Sequence, residues 1–385
     1  MELDKFIRSI NIPVYSITSK IEYFDINDDL NNYNRDNPLE FCRDKAEDRL
    51  SGRSILKDVK SIITLLIPYE IESMIRKDRE LEIPAIVSNN AWEMDYHRQL
   101  KDKLAKVGEY IGSFFNDLEY ESIVDTSPLI DRIIAYESGL GSYGKNTFLI
   151  NEKLGTAFYI GALLINKEVS EINILKAEKL EYNTAKEVIK GRKVYRNCSM
   201  CMECDLCVRH CPGKALDGSY TINSNKCVSY LTQKKDRLSY EERKLIGKRL
   251  YGCDICQIVC PYNKTNGDIK YEYKRTSSNV VDALELIKTS NKQLVKKYKS
   301  SGFIWRGPNI LKRNAIVIIG NSRSEYGLSS LMDYYFDLSL TNRLYALWAI
   351  ASISFTSFKS FIDKSNYRFE KEEKEEVEKL LINFK

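Results

Sequence analysis

Eight of the ten cysteines in this chain lie between Cys201 and Cys260, and their spacing is that of metal ligands. Cys201, Cys204, Cys207 and Cys211, the last followed by Pro212, form C-x2-C-x2-C-x3-C-P without deviation. In bacterial ferredoxins that run places three thiolates on one 4Fe–4S cluster and sends the fourth to a second cluster. A second copy, Cys253, Cys256, Cys260 and Pro261, lacks its first cysteine, because Leu250 stands there. Cys227, alone between the two copies, is the substitute. The count then closes as Cys201, Cys204, Cys207 and Cys260 on one cluster and Cys211, Cys227, Cys253 and Cys256 on the other. Soft thiolates also select zinc, but zinc leaves both C-x3-C-P endings unexplained. A disulfide framework needs an oxidising compartment, which nothing in the sequence suggests. Cys42 and Cys198 remain outside the ligand set.

The rest of the chain must position these thiolates. At 385 residues it has room for two or three domains. With 43% hydrophobic and 29% charged residues it reads as globular. The N-terminus lacks the pattern of a signal peptide, and no apolar run approaches the roughly 18 residues that span a bilayer, so the expected location is the cytoplasm. A net charge of +5 permits nucleic-acid binding. Basic clusters stand at Lys190–Arg196, Lys234–Arg237 and Lys296–Lys299. His97 and His210 are the sole histidines, too few for a His-rich metal site.

Residues 1–170 read as an α/β domain, with helical patterns at 42–60 and 95–116 alternating with apolar strands at 61–67 and 157–165. A strand through Ile123 leaves Asp125 exposed at its tip, ahead of a helix through Arg132 and Glu137. Gly139, Gly141 and Gly144 then open a loop ending in Lys145, Asn146 and Thr147. This is neither a dinucleotide fingerprint nor a P-loop: it follows a helix, and Asn146 occupies the hydroxyl position. A loop that lets the backbone approach a bulky ligand is the better reading. Residues 171–197 form a charged connector, and residues 198–275 the double-cluster, ferredoxin-like domain. Ser239 and Glu242 announce a capped helix there. Residues 276–385 read as helical, with no strand or turn signal dominating. The segment from Arg313 echoes the one from Arg343 thirty residues later, as in a HEAT-like array. A charged amphipathic helix closes the chain.

In their order these blocks resemble the epoxyqueuosine reductases. The resemblance rests on Trp92-x2-Asp95-Tyr96-His97, Val124-Asp125-Thr126, the Gly139–Asn146 loop and both cysteine motifs. It extends through Cys227–Gln233, Leu250–Cys253, Trp305-Arg306-Gly307 and Arg313–Ile316, so it covers about residues 60 to 350. The first sixty residues match poorly, and the connector is longer than expected.

The resemblance implies a base-off cobalamin in the N-terminal domain, reached by electrons through the two clusters. It also implies reduction of the epoxide on a modified tRNA wobble base to an alkene, with loss of water. That step takes two electrons and two protons, whereas each cluster passes one electron at a time, so a two-electron carrier is needed between them. Asp125 matches the family's proton donor, a role suited to a carboxyl whose pKa is raised by partial desolvation. Trp92, Tyr96, His97, Gly141, Lys145 and Asn146 are placed beside the cofactor. Arg306, Lys312 and Arg313 are placed on tRNA phosphates, with a salt-dependent grip. A low-potential electron donor and a monomeric enzyme complete the expectation. Two competitors share the clusters: a reductive-dehalogenase-like enzyme acting on a small substrate, and a non-catalytic electron carrier.

Overall fold

The longest apolar runs become the central strands, because a strand covered on both faces has no polar side to show. The computed structural model describes residues 2–24, 47–71, 81–92, 95–125, 127–173, 200–264 and 279–384. Cys42, Cys198, Thr126, the Lys190–Arg196 cluster and most of the connector lie outside the described residues. The chain divides into two compact units. The first takes Met1–Glu72, Asp95–Asn225 and Ile255–Lys274, and the second takes Ser73–Met94, Lys226–Asp254 and Arg275–Lys385. These bounds cut across the consecutive domains expected from sequence.

In the first unit a four-stranded sheet runs in the order Val14–Thr18, Ser61–Pro68, Phe158–Ile165, Tyr120–Ile123. Every neighbouring pair is antiparallel, so this unit has α+β character. The helix Tyr96–Gly112 lays Leu100, Leu104, Val107 and Ile111 on one face of the sheet, against Ile63, Leu65, Leu163 and Ile165. Those four side chains follow helical spacing and are fully buried, each contributing roughly 1.5–3 kcal/mol. The helix Asp131–Glu137 covers the opposite face with Ile133 and Ile134, against Ile62 and Leu164. The helix expected at 42–60 is not formed where the chain is described. Glu47–Arg49 and Gly52–Ser54 are single 3-10 turns, the second started by the Ser51 side chain, which accepts from the Arg53 backbone N–H.

The second unit holds a small sheet in the order Arg249–Tyr251, Pro84–Val87, Val280–Asp282, parallel on one side and antiparallel on the other. Val280–Asp282 is a short strand in a stretch where no strand signal dominated. The capping box of Ser239 and Glu242 is formed and starts the helix Tyr240–Ile246, which stops at Gly247 with φ of 58°. Helices then follow one another: Ala283–Lys288, Asn291–Tyr298, Pro308–Ser322, Glu325–Asp333, Leu340–Ile353, Phe355–Ser365 and Lys371–Asn383. The two echoing segments fall in Pro308–Ser322 and Leu340–Ile353, which form the heart of this core. The closing helix is charged as expected, yet Glu373 and Glu376 are buried. Glu373 accepts from the Tyr335 hydroxyl, and Glu376 from Arg237. Arg243, itself buried, sits over the rings of Tyr240, Tyr345 and Trp348 at 4.4–5.2 Å.

Candidate active site and cysteine motifs

Two chain reversals bring one polar group together in the first unit. Asp95 caps the helix Tyr96–Gly112, accepting from the His97 backbone N–H, and so fixes where Tyr96 and His97 point. The strand Tyr120–Ile123 ends just before Asp125, whose carboxylate is exposed, as the sequence suggested. The Tyr96 hydroxyl donates to Asp125. His97 lies between two carboxylates, its Nδ1 against Asp95 and its Nε2 against Asp125, each at 2.5 Å. Two acceptors require two N–H donors, so the ring is an imidazolium. Tyr96 holds the assembly in place, stacked on His97 at 4.2 Å and on Tyr159 at 4.4 Å.

Burial works against charge on His97, but the bonds and charges of Asp125 and Asp95 outweigh it and raise its pKa to about 8. For Asp125, burial pushes upward, while bonds from His97 and Tyr96 and the charges of His97 and Arg132 win. Its carboxyl therefore lies below the usual range, opposite to the direction expected of a resident acid. At neutral pH the proton sits on His97 and Asp125 is its partner. Asp131, which sequence reasoning passed over, shows the reverse. Burial raises its pKa, with Asp125 adding to the effect. Its position as the first residue of a helix carried no signal of that.

The cysteine motifs are held by short helices, Leu206–His210 and Ile255–Ile258. Cys207 and Cys260 are buried, and the other six described cysteines are half-buried. Burial, then Cys201, Cys260 and Cys204, push the Cys207 thiol up to about 11. Cys260 in turn feels Cys201 and Cys204, so the four thiols assigned to one cluster are electrostatic neighbours within one unit. Gln257, between the last two cysteines, bonds the Thr156 and Tyr69 hydroxyls, and the Tyr262 hydroxyl donates to Met200 O at 3.0 Å. The Cys211 thiol accepts from the Ala215 N–H. Of the other assigned set, Cys211 and Cys256 belong to the first unit and Cys227 and Cys253 to the second. Among the described residues, no three His, Cys, Asp or Glu side chains are gathered to share one metal ion. A four-iron cluster makes a different demand, since each thiolate binds its own iron.

The glycine-rich stretch is a hairpin, Ser142–Tyr143 paired with Leu149–Ile150. A Cβ on Gly141 would come within 2.7 Å of the Ile150 carbonyl oxygen, so closure of the hairpin requires glycine there. Lys145 and Asn146, expected to line the cofactor, reach the cysteine motifs. The Lys145 ammonium donates to the carbonyls of Met202 and Cys204, and the Asn146 amide to that of Cys256.

In the second unit Trp92, also expected beside the cofactor, stacks on Phe303 with centroids 5.9 Å apart. Arg313 is only 2% exposed. Its guanidinium donates to the carbonyls of Leu231, Thr232 and Lys234, closing the end of the helix Val228–Leu231. The tRNA contact expected of Arg313 is thus a cation already held by three carbonyls. Lys312 is buried as well, with its pKa lowered by that burial. Arg306 differs: it donates to Gln233 O, and its guanidinium lies 4.7 Å from the ring of Trp305, which is 53% exposed.

Comparison with known proteins fits this arrangement. A family model described as epoxyqueuosine reductase QueG, DUF1730 matches residues 49–126, and one described as a 4Fe-4S double cluster binding domain matches residues 168–263. The epoxyqueuosine reductase of Lactococcus garvieae is 30% identical over 295 residues, 76% of this chain and 78% of that protein. The chain belongs to the epoxyqueuosine reductase family. Its structure resembles that of an epoxyqueuosine reductase solved with an epoxyqueuosine-modified tRNA-Tyr stem loop, with TM-score 0.84, 26% identity, and coverage of 98% of this chain and 96% of the other. A Bacillus subtilis member, solved with its catalytic loop swung out of the active site, has TM-score 0.83 at 26% identity over the same shares.

Proposed function

We propose that this chain reduces the epoxide of epoxyqueuosine, at the wobble base of a tRNA anticodon, to the alkene of queuosine. Epoxide, two electrons and two protons give alkene and water. The observation that carries the reading is the Asp95–His97–Asp125 row in the same unit as Cys201, Cys204, Cys207 and Cys260, in a member of this family. The assigned cysteines would hold two 4Fe–4S clusters, which would supply electrons one at a time from a low-potential donor. When bound, cobalamin supplies a carrier that collects two of them. Both ring nitrogens of His97 are engaged by carboxylates, so this ring is not left to ligate cobalt, which suits a corrin held without a ligand from His97. Tyr96 and His97 remain the residues to face it.

Asp125 acts as the proton donor to the opened epoxide oxygen, recharged by His97. The imidazolium holds the proton, Asp95 keeps the ring oriented, and Tyr96 keeps the carboxylate aimed. The exposure of Asp125 lets water restore the proton before the second transfer. Arg306 and Trp305 offer a cation and a ring to RNA, on a HEAT-like stack of helices. The protein is placed in the cytoplasm as a monomer. Among the described residues no helix is long and apolar enough to cross a membrane.

The test is anaerobic turnover of an epoxyqueuosine-modified stem loop by reconstituted protein, with and without cobalamin, read by nucleoside mass spectrometry. Loss of one oxygen only when cobalamin is present is the expected result. No loss, with clusters and cobalamin both bound, overturns the substrate; loss without cobalamin overturns the cofactor.

A further inference from the structure

The hairpin that sequence reasoning offered to a ligand reaches both cysteine motifs. At its tip the Lys145 ammonium donates to Met202 O at 2.9 Å and to Cys204 O at 3.0 Å, the two carbonyls that bracket Glu203 in the first motif. Asn146, 3% exposed, accepts from the Phe148 N–H and turns its amide toward Cys256 O at 3.4 Å in the second motif. The first loop has a constrained path. Cys204 N–H closes a turn onto Cys201 O at 2.7 Å, and Met202, not a glycine, sits at φ of 38°. Holding a side-chain-bearing residue there is strained, and a fixed external anchor offsets the strain. Lys145 is such an anchor, and it brings a full positive charge to the peptides that carry Cys201 and Cys204.

The other motif carries a buried carboxylate. Asp254, next to Cys253, is buried, and its carboxylate accepts from the Asn89 N–H and side-chain amide at 2.7 Å each and from the Ser88 hydroxyl. Three donors thus converge on that one carboxylate and fix it in place. Gly252, at φ of 73°, permits this closeness: a Cβ there would meet Ser88 Cβ at 2.4 Å.

Charges and hydrogen bonds beside the ligands set the potential of an iron–sulfur cluster. A cation stabilises the added electron and an anion opposes it. We propose that Lys145 is a positioning residue for electron delivery: it pins the Cys201–Cys207 loop and makes the cluster of Cys201, Cys204, Cys207 and Cys260 the higher-potential one. Asp254 holds the cluster that includes Cys253 lower. The inference rests on the two-cluster reading above.

The test is a redox titration of the reconstituted full-length protein followed by electron paramagnetic resonance, with iron content measured in parallel. Lys145→Gln removes the charge and keeps a hydrogen-bonding group, while Lys145→Arg keeps the charge. The expected result is a downward shift of the higher midpoint alone in Lys145→Gln, little change in Lys145→Arg, and an upward shift of the lower midpoint in Asp254→Asn. Loss of one cluster in Lys145→Gln with retention in Lys145→Arg also supports the positioning role. Unchanged midpoints in Lys145→Gln at full iron content overturn it. Wild-type protein lacking two four-iron clusters fails the underlying reading instead, a result distinguishable before any variant is made.

Discussion

Asp125 and Arg313 are both charged residues in motifs of this family, and the structure treats them in opposite ways. The Asp125 side chain is 46% exposed, and its partners, His97 and Tyr96, leave it reachable. Arg313 is sealed among three backbone carbonyls and the side chain of its neighbour Asn314. Its burial pulls even a guanidinium down to about 10. A charge that does chemistry must keep a face toward the reactant, whereas one that holds an architecture is enclosed by its acceptors. In the first unit the charged row is the one we propose moves a proton. In the second, Arg313, Arg243, Glu373 and Glu376 bind helices together.

The comparison breaks most visibly at Asp125. Asp125→Asn is expected to lower turnover by roughly 10²–10⁴-fold, the usual worth of a general acid, with iron and cobalamin content unchanged. Arg313→Met is expected to leave turnover per folded molecule intact and to cost roughly 3–5 kcal/mol in urea unfolding, since buried carbonyls lose their donor. A selective loss of tRNA affinity with undiminished stability would return Arg313 to the RNA surface. His97→Gln should lower turnover about tenfold, because Asp125 loses its proton source but keeps its place. The smallest effect belongs to Arg306→Ala: binding of the stem loop weakens a few-fold and the salt dependence falls by about one counterion. An unchanged salt slope would remove Arg306 from the interface.

The double-cluster domain was legible because cluster ligands are close in sequence and their spacing is fixed by the cluster itself. The strands around Ile63 and Leu163 were legible for a similar reason, as continuous apolar runs. Arg313 was not. Whether a cation on a helix faces phosphate or carbonyl depends on where Leu231 and Thr232 end their own helix, some eighty residues away. The sheet joining Pro84–Val87 to Arg249–Tyr251 and Val280–Asp282 was hidden likewise, since three short strands pair across most of the chain. In the site, the motif around His97 and the exposure of Asp125 could be read from sequence, but the direction of the Asp125 pKa could not. It follows from His97 standing between two carboxylates, a fact of three dimensions.

The proton's seat on His97 gives the account its sharpest consequence. The folded-state pKa of about 8 lies above the ordinary 6.5, so the pairing stabilises fully below about pH 6.5 and is lost as pH rises through about 8. Turnover should follow the same limb. The decisive measurement is the pH–rate profile of epoxyqueuosine reduction by the wild-type protein beside His97→Gln. The account predicts a wild-type rate that is level below pH 8 and falls above it, and a variant that is slower but lacks that limb. The same alkaline fall in both proteins, or none in the wild type, would contradict it.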